Sequence, residues 1–192
     1  MNAPDVVLAS GHMIDDPSRK RPRFPPDQEA RVTASIARAL DEWTVGASTT
    51  IICGGARGAD LIVAEQARDR GARVVLCLAE PRADFVERSV ALPGTDWEAR
   101  FENMCQYADV RILSAERSAG GSIHAATNTW MIELAVQLAT HDDDPRAIVV
   151  WDGGIGDGAG GTRDFVRQLG ITDLSDERLI AVDPTPRQYE PR

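Results

Sequence analysis

The residues best placed to do chemistry form a glycine-rich loop in the first half of the chain. Gly54, Gly55 and Gly58 follow a run of β-branched residues, and they lack the side chains that would keep a ligand from the backbone. A helix is predicted next, over residues 59–70, so its free N–H groups and the positive end of its dipole point into the loop. Arg57 lies inside the loop, where its guanidinium could pair with a phosphate. The loop therefore predicts a site for a phosphate or a nucleotide.

Three other loops that follow predicted strands also contain glycine. Their candidate ligand-binding residues are Ser10, Gly11 and His12 in the first, Gly120 and Gly121 in the second, and Gly160, Gly161 and Thr162 in the third. We expect their backbone N–H groups to hold phosphate, with the Thr162 hydroxyl as an additional donor. No loop matches the GxxxxGK[ST] pattern of P-loop ATPases, and the loop after residue 53 is not the GxGxxG dinucleotide fingerprint.

These loops require a scaffold in which strands and helices alternate. Hydrophobic periodicity predicts a β-α-β-α-β-α-β-α-β-α-β order, which is typical of an α/β, Rossmann-like, doubly wound and mainly parallel sheet with helices on both faces. In such sheets ligands bind beyond the carboxyl ends of the strands. The predicted strands are Val6–Ala9, Thr49–Cys53, Arg73–Leu78, Val110–Leu113, Ala147–Trp151 and Leu179–Val182. The predicted helices are Glu29–Trp43, Ala59–Arg70, Arg82–Val90, Trp97–Tyr107, Thr127–Ala139 and Arg163–Leu169.

Length and composition predict a single domain over residues 1–192, with a tail from 184 to 192. The net charge of −9 argues against duplex nucleic acid or an anionic membrane as the main partner, because phosphate backbones need a basic footprint. Cys53, Cys77 and Cys105 form no CxxC pair, so we expect buried thiols of a reducing compartment and no metal site. The N-terminus has no signal-peptide pattern, and we expect a cytoplasmic protein. The Pro-rich segment from Asp15 to Gln28 is interpreted as a solvated connection rather than a lid.

Two segments resemble a known superfamily. Residues 53–75, which contain GGARGADLIVAEQARDRGARV, resemble the glycine-loop segment of the "Lonely guy" (LOG) cytokinin-activating proteins. Residues 100–109, RFENMCQYAD, are similar to the R-x-x-x-M…A-D segment of that family, and Ser10-Gly11-His12 resembles the first-strand loop of a YpsA-like branch. The wider group is the SLOG superfamily, which also includes DNA-processing protein A. The resemblance covers roughly residues 6 to 169.

The resemblance implies a Rossmann-like sheet that binds a nucleotide, and a homodimer is plausible by the same likeness. The LOG branch hydrolyses the N-glycosidic bond of nucleoside monophosphates with an arginine of R-x-x-x-M and a glutamate of PGGxGTxxE. Arg100 matches the first. Where the second is expected the chain reads AERSAGGSIHAATNTWMIE, in which Gly120-Gly121 stands for the glycine pair and Glu133 for the glutamate at a changed spacing. The other possible match, Gly160-Gly161-Thr162, places Phe165 where the glutamate belongs.

Two hypotheses of function follow. In the favoured one the chain binds a nucleotide, such as an NAD or ADP-ribose derivative, as a signal for a separate partner, with no other cofactor. The alternative is a LOG-like phosphoribohydrolase, in which Arg100 positions the substrate and Glu133 stabilises the oxocarbenium ion that forms on the ribose. A module without ligand and a molybdenum-cofactor carrier stay open. Trp151, at the end of a predicted strand, is a candidate for stacking on a base.

Overall fold

The computed structural model describes residues 3–118, 121–139, 144–154 and 158–186, and six strands of this part form one parallel sheet. Its strands are β1 (Val6–Gly11), β2 (Thr50–Cys53), β3 (Arg73–Leu78), β4 (Asp109–Ile112), β5 (Arg146–Val150) and β6 (Leu179–Val182). Every neighbouring pair is parallel, in the order β4-β3-β2-β1-β5-β6. The predicted doubly wound α/β class is therefore confirmed.

Helices connect these strands in the predicted alternation. They are α1 (Glu29–Glu42), α2 (Ala59–Arg68), α3 (Arg82–Phe85), α4 (Trp97–Tyr107), α5 (Ala115–Ser118), α6 (Ile123–Leu138) and α7 (Thr162–Gln168). The segment predicted as one helix over residues 82–90 is α3 followed by a π-helical turn, Val86–Val90. Helix α6 begins four residues before its predicted start because Ser122 caps it, accepting a hydrogen bond from the Ala125 N–H. The short helix α5 was not predicted.

The chain changes direction in the sheet at β1. Strands β1 to β4 add one after another on one side, and the chain then returns through α6 to place β5 on the other side of β1. The pairing of Gly11 with Val150 carries β1 and β5 to the same carboxyl edge. Because the connections leave β1 and β5 in opposite directions, a crevice opens between them, and such a switch point is where ligands bind in this class of sheet.

Two apolar clusters cover the two faces of the sheet. Val7 and Ala9 of β1 face the cluster that includes α1, α2 and α4, whereas Val6 and Leu8 face the cluster that includes α6 and α7. This alternation along one strand is what a sheet with two covered faces requires. Cys53 and Cys77 are buried as predicted, and Cys105 is half-buried.

The segment between β1 and α1 is more ordered than its sequence indicates. Ile14 and Phe24 are buried in the core, and the Asp15 carboxylate accepts hydrogen bonds from the N–H groups of Arg23 and Phe24 at 2.6 and 2.7 Å. The interpretation as a solvated connection was therefore wrong for its two ends, which fold back against the domain.

Within the described ranges, none of the helices combines the length and apolar character needed to cross a membrane. The predicted tail extends into residues 187–192, which lie outside the described ranges.

Candidate functional site

A cleft of about 440 Å³ lies at the carboxyl edge of the sheet, above the point where β1 and β5 part. Seven of the predicted ligand-binding residues line it: Ser10, Gly11, His12, Gly54, Gly160, Gly161 and Thr162. Its other polar or charged lining residues include Arg23, Asp60, Glu80, Arg88, Ser89, Ser122, His124, Thr127 and Asn128. Met131, Phe85 and Trp151 add apolar surface. The volume lies in the range of sites for small molecules, roughly 300–1,000 Å³.

Other predicted site residues have other positions. Gly55, Arg57, Gly58, Gly121, Arg100 and Glu133 are not among the described residues that line the cleft. Gly120 lies outside the described residues, as do residues 155–157 of the third loop.

His12 and Asp152 join the ends of the two strands that flank the switch point. His12 is 6% exposed, and its Nε2 lies 3.2 Å from Oδ1 of Asp152, which follows β5. Burial by itself would raise the pKa of Asp152, but hydrogen bonds from the Gly154 N–H and from His12 outweigh burial and hold this pKa below its usual value. Asp152 is therefore an ionised partner that orients His12 at the edge of the cleft.

The glycine loop after β2 surrounds an internal carboxylate. The Ala56 N–H donates to Oδ2 of Asp60 at 3.2 Å, and the Gly54 and Gly55 N–H groups also stabilise this carboxylate. Burial nevertheless raises the pKa of Asp60 to about 7, from an ordinary value of 3.8. The backbone N–H groups predicted to hold phosphate in this loop thus already face a carboxyl group of the protein itself. Above about pH 7, where this group is ionised, a phosphate would be repelled there.

Gly58 allows the loops after β1 and β2 to touch. Its φ is +92°, and a Cβ atom there would lie 2.5 Å from the Ile14 N and 3.0 Å from the His12 O. The Ala59 N–H donates to the same His12 carbonyl at 3.2 Å. Arg57 strengthens the contact through hydrogen bonds to the carbonyls of Ile14 and Ala91 at 3.3 and 3.1 Å. Gly58 and Arg57 therefore hold the loops after β1 and β2 together. Direct contact of either residue with a ligand stays a prediction.

The third loop is held against the start of α6. A Cβ on Gly160 would lie 2.6 Å from the Ala125 N, and the Asn128 amide donates to the Gly160 carbonyl at 3.2 Å. The Gly160 N–H donates to Asp164 at 2.9 Å. The predicted role of Gly160 as an N–H donor to phosphate is therefore not available in this arrangement. Gly161 and Thr162, the residues before and at the start of α7, stay on the cleft wall.

The first turn of α6 and two arginines supply positive potential to the cleft. Ser122 and His124 lie at the start of this 16-residue helix, whose dipole favours an anion at that end. Arg23 and Arg88 also line the cleft, and Arg88 donates to Glu80 at 2.5 Å. These groups are the ones among the described lining residues that favour a phosphate.

Trp151 adds an apolar side chain to the lining of the cleft. It is 8% exposed, and its indole N–H donates to the Gly154 carbonyl at 3.1 Å. A hydrogen-bonded indole is held in one orientation, so the part of the ring that lines the cleft is a fixed apolar surface. Stacking of Trp151 on a base stays a prediction.

Arg100 lies in an ion-pair cluster between helices. Its guanidinium donates to both carboxylate oxygens of Glu65, at 2.9 and 2.6 Å, and to Glu29 at 2.6 Å. It also stacks on Trp97, with 3.8 Å between its Cζ atom and the ring centre. Glu133 is exposed on α6 and pairs with Arg117 at 2.6 Å. The structure therefore does not bring together the two residues that the hydrolase hypothesis requires.

Replacement of Arg100 by methionine should lower the free energy of unfolding by about 2 kcal/mol, because two half-buried carboxylates lose their shared partner. Urea unfolding of the variant measures this loss. Arg111→Met is the matched control, since Arg111 pairs with Asp109 on the exposed edge strand, where the expected change is within about 0.5 kcal/mol. Equal stability of the two variants would contradict a structural role for Arg100.

Sequence reasoning did not identify Asp152 or give Asp60 a place in the site. Asp152 had an available signal, because a charged residue directly after a buried strand lies at the ligand edge of a parallel sheet. The sequence indicates a role in the site less clearly for Asn128 and Thr127. Both are buried polar residues of the long helix α6, and their burial is visible only in the structure. No group of three or more His, Cys, Asp or Glu side chains suited to a metal occurs in the described part of the chain.

The chain matches no protein-family model, and no curated protein matches it. It is similar to the structure of DNA processing protein A from Streptococcus pneumoniae, with a TM-score of 0.37 and 15% identity over 94% of this chain. This chain spans 59% of that one. The structure of TM1055, a structural genomics target, is also similar, with a TM-score of 0.37, 14% identity and coverage of 95% of this chain and 91% of that one. Neither likeness bears on ligand or activity.

Proposed function

We propose that the cleft at the switch point binds a nucleotide or a nucleotide-derived ligand. The observation that supports this most is the convergence of β1, β2, α6 and the loop before α7 on one cleft of about 440 Å³. Doubly wound sheets bind ligands at such a point because the loops on either side leave in opposite directions. The resemblance to the SLOG superfamily supports the same ligand class.

The charges of the cleft suggest an orientation for the ligand. A phosphate would lie toward Ser122 at the start of α6 and toward Arg23 and Arg88, because these groups supply positive potential. The base would lie against Met131 and Trp151. The loop after β2 would face the sugar rather than the phosphate, since Asp60 already occupies the N–H groups of that loop.

The proposed ligand is a signalling nucleotide of the NAD or ADP-ribose type, which a separate partner would read. The hydrolase alternative has less support, because neither Arg100 nor Glu133 lines the cleft and each is paired with residues outside it. A homodimer and a cytoplasmic location remain predictions from the sequence.

Native mass spectrometry tests the proposal. The protein is measured as purified and after mixing with nucleoside monophosphates, NAD, ADP-ribose and cyclic ADP-ribose. We expect one nucleotide per subunit, retained intact. Release of free base would favour the hydrolase, and retention of no nucleotide from the panel would contradict the proposal.

A pair of variants locates the binding. Arg88→Met should weaken retention of the bound nucleotide by about tenfold, because it removes a charged donor from the cleft. Arg111→Met is the control, since it removes the same charge from a surface arginine that also pairs with one carboxylate, Asp109, outside the cleft. Equal loss in both variants would indicate nonspecific attraction of the nucleotide rather than binding in the cleft.

A further inference from the structure

The position at the end of β2 has a defined use in dinucleotide-binding sheets. An acidic residue near that strand end accepts hydrogen bonds from the ribose hydroxyls, while the phosphates lie closer to the switch point. In this chain β2 ends at Cys53 and lies next to β1, on the side of β1 away from β5. The residue that follows β2 is Gly54, which has no side chain to play this part.

Asp60 brings a carboxylate to that place from the first turn of α2. Its Oδ2 lies 2.8 Å from the position that a Cβ atom on Gly54 would occupy. A side chain on residue 54 would therefore collide with this carboxylate, and glycine leaves the space that the carboxylate fills. Both Gly54 and Asp60 line the cleft. The acid is thus supplied by the helix after β2 instead of by the strand end.

The surroundings of Asp60 keep part of its acceptor capacity for a ligand. Its described partners are backbone N–H groups of the loop, of which that of Ala56 lies 3.2 Å from Oδ2. These N–H groups hold the carboxylate in one position. A carboxylate has about four lone-pair directions, so the two oxygens of Asp60 can accept further hydrogen bonds from groups in the cleft. Hydroxyl groups suit it, and phosphate oxygens do not.

We propose that Asp60 accepts a hydrogen bond from a ribose hydroxyl of the bound nucleotide and so makes the cleft selective for a sugar that carries this hydroxyl. This inference rests on the proposed nucleotide binding and adds the residue that reads the sugar. It also implies that a ligand with a phosphate on the oxygen of that hydroxyl is excluded, because the phosphate would lie against a buried carboxylate. The base and the phosphate would lie on the other walls of the cleft, as described above.

Isothermal titration at pH 8 with three probes tests the inference: adenosine 5′-monophosphate and its 2′-deoxy and 3′-deoxy counterparts. Wild-type protein should bind adenosine 5′-monophosphate about 10- to 100-fold more tightly than at least one deoxy probe, as expected for loss of a hydrogen bond to a charged group. In Asp60→Asn this preference should fall to about threefold or less. The affinity for that deoxy probe should change little, since the probe lacks the hydroxyl that Asp60 would bind.

Glu80→Gln is the matched comparison, because Glu80 is a second acid on the cleft wall and is held by Arg88. This variant should keep the preference for the ribose hydroxyl. Loss of the preference in Glu80→Gln instead of Asp60→Asn would overturn the inference. Equal affinity of the wild-type protein for all three probes would by itself overturn the role of Asp60. The proposed binding of a nucleotide would not be contradicted by that result. If adenosine 5′-monophosphate does not bind, the role of Asp60 is overturned as well. The proposed function is contradicted only if no nucleotide of the mass spectrometry panel binds.

Discussion

Gly58→Ala is expected to lower the free energy of unfolding by about 4 kcal/mol, the largest effect of a single substitution that we predict. Two costs combine. A φ of +92° is strained for any residue with a Cβ atom, at about 1–3 kcal/mol. The new atom would also lie 2.5 Å from the Ile14 N, so the loop after β1 must move. Urea unfolding of the variant measures the sum of both costs.

Gly94→Ala separates the two costs. Gly94 also has a positive φ, +79°, but no atom lies within 4 Å of the position of its Cβ. This control should lose only the strain, about 1 kcal/mol. If Gly58→Ala is no less stable than Gly94→Ala, the loops after β1 and β2 can move apart with no loss of stability. The close packing of Gly58 against Ile14 and His12 would then not contribute to stability. Nucleotide binding by Gly58→Ala should also weaken, because His12 lies on the segment that is displaced.

The scaffold could be predicted because its signals are local. A run such as Ala147–Trp151 is apolar throughout, which is typical of a strand covered on both faces, and the helix that contains Val32, Ile36 and Leu40 shows the spacing of a one-sided apolar face. The alternation of such segments gives a parallel sheet with few possible arrangements. Boundaries depended on capping and were less accurate, as the earlier start of α6 at Ile123 shows.

The composition of the cleft could be predicted only in part. Loops after strands were expected to meet at one edge, and Ser10, Gly54 and Thr162 do line one cleft. The use of each backbone N–H group depends on side chains elsewhere, however. Asp60 and Asp164 each occupy N–H groups of a glycine loop that the sequence assigned to phosphate. A glycine pattern cannot distinguish a loop that binds a ligand from one that binds its own carboxylate.

Long-range pairs explain the remaining differences. Arg100 matched a family motif by its spacing to Met104, but its environment is decided by Glu65 and Glu29, which are 35 and 71 residues away. The contact between His12 and Asp152 joins residues 140 positions apart. Neither pairing has a local signal, and each becomes visible only when the sheet order is known.

The stability of the protein should depend on pH through Asp60, and this is the second large effect. Burial raises the pKa of this carboxyl in the folded protein to about 7, against 3.8 when exposed. The folded state therefore holds the proton more tightly than the unfolded state does. The contribution of Asp60 to stability is complete below pH 3.8 and is lost as the pH rises through 7. Between pH 5 and pH 8 the loss amounts to about 2–3 kcal/mol.

Asp60→Asn removes this titration while keeping the size of the side chain, so the difference between variant and wild type isolates it. Urea unfolding at pH 5, 6, 7 and 8 should show the wild type losing about 2–3 kcal/mol relative to the variant across this range. Asp173→Asn is the control: hydrogen bonds from Ser175 hold the pKa of Asp173 below its usual value, so it stays ionised throughout this range. If the difference in free energy of unfolding between Asp60→Asn and the wild type does not change with pH, the loop N–H groups fully compensate the burial of the carboxylate.

A ribose hydroxyl that binds Asp60 would stabilise the ionised form of this carboxyl. A nucleotide should therefore cause the release of part of a proton when it binds near pH 7.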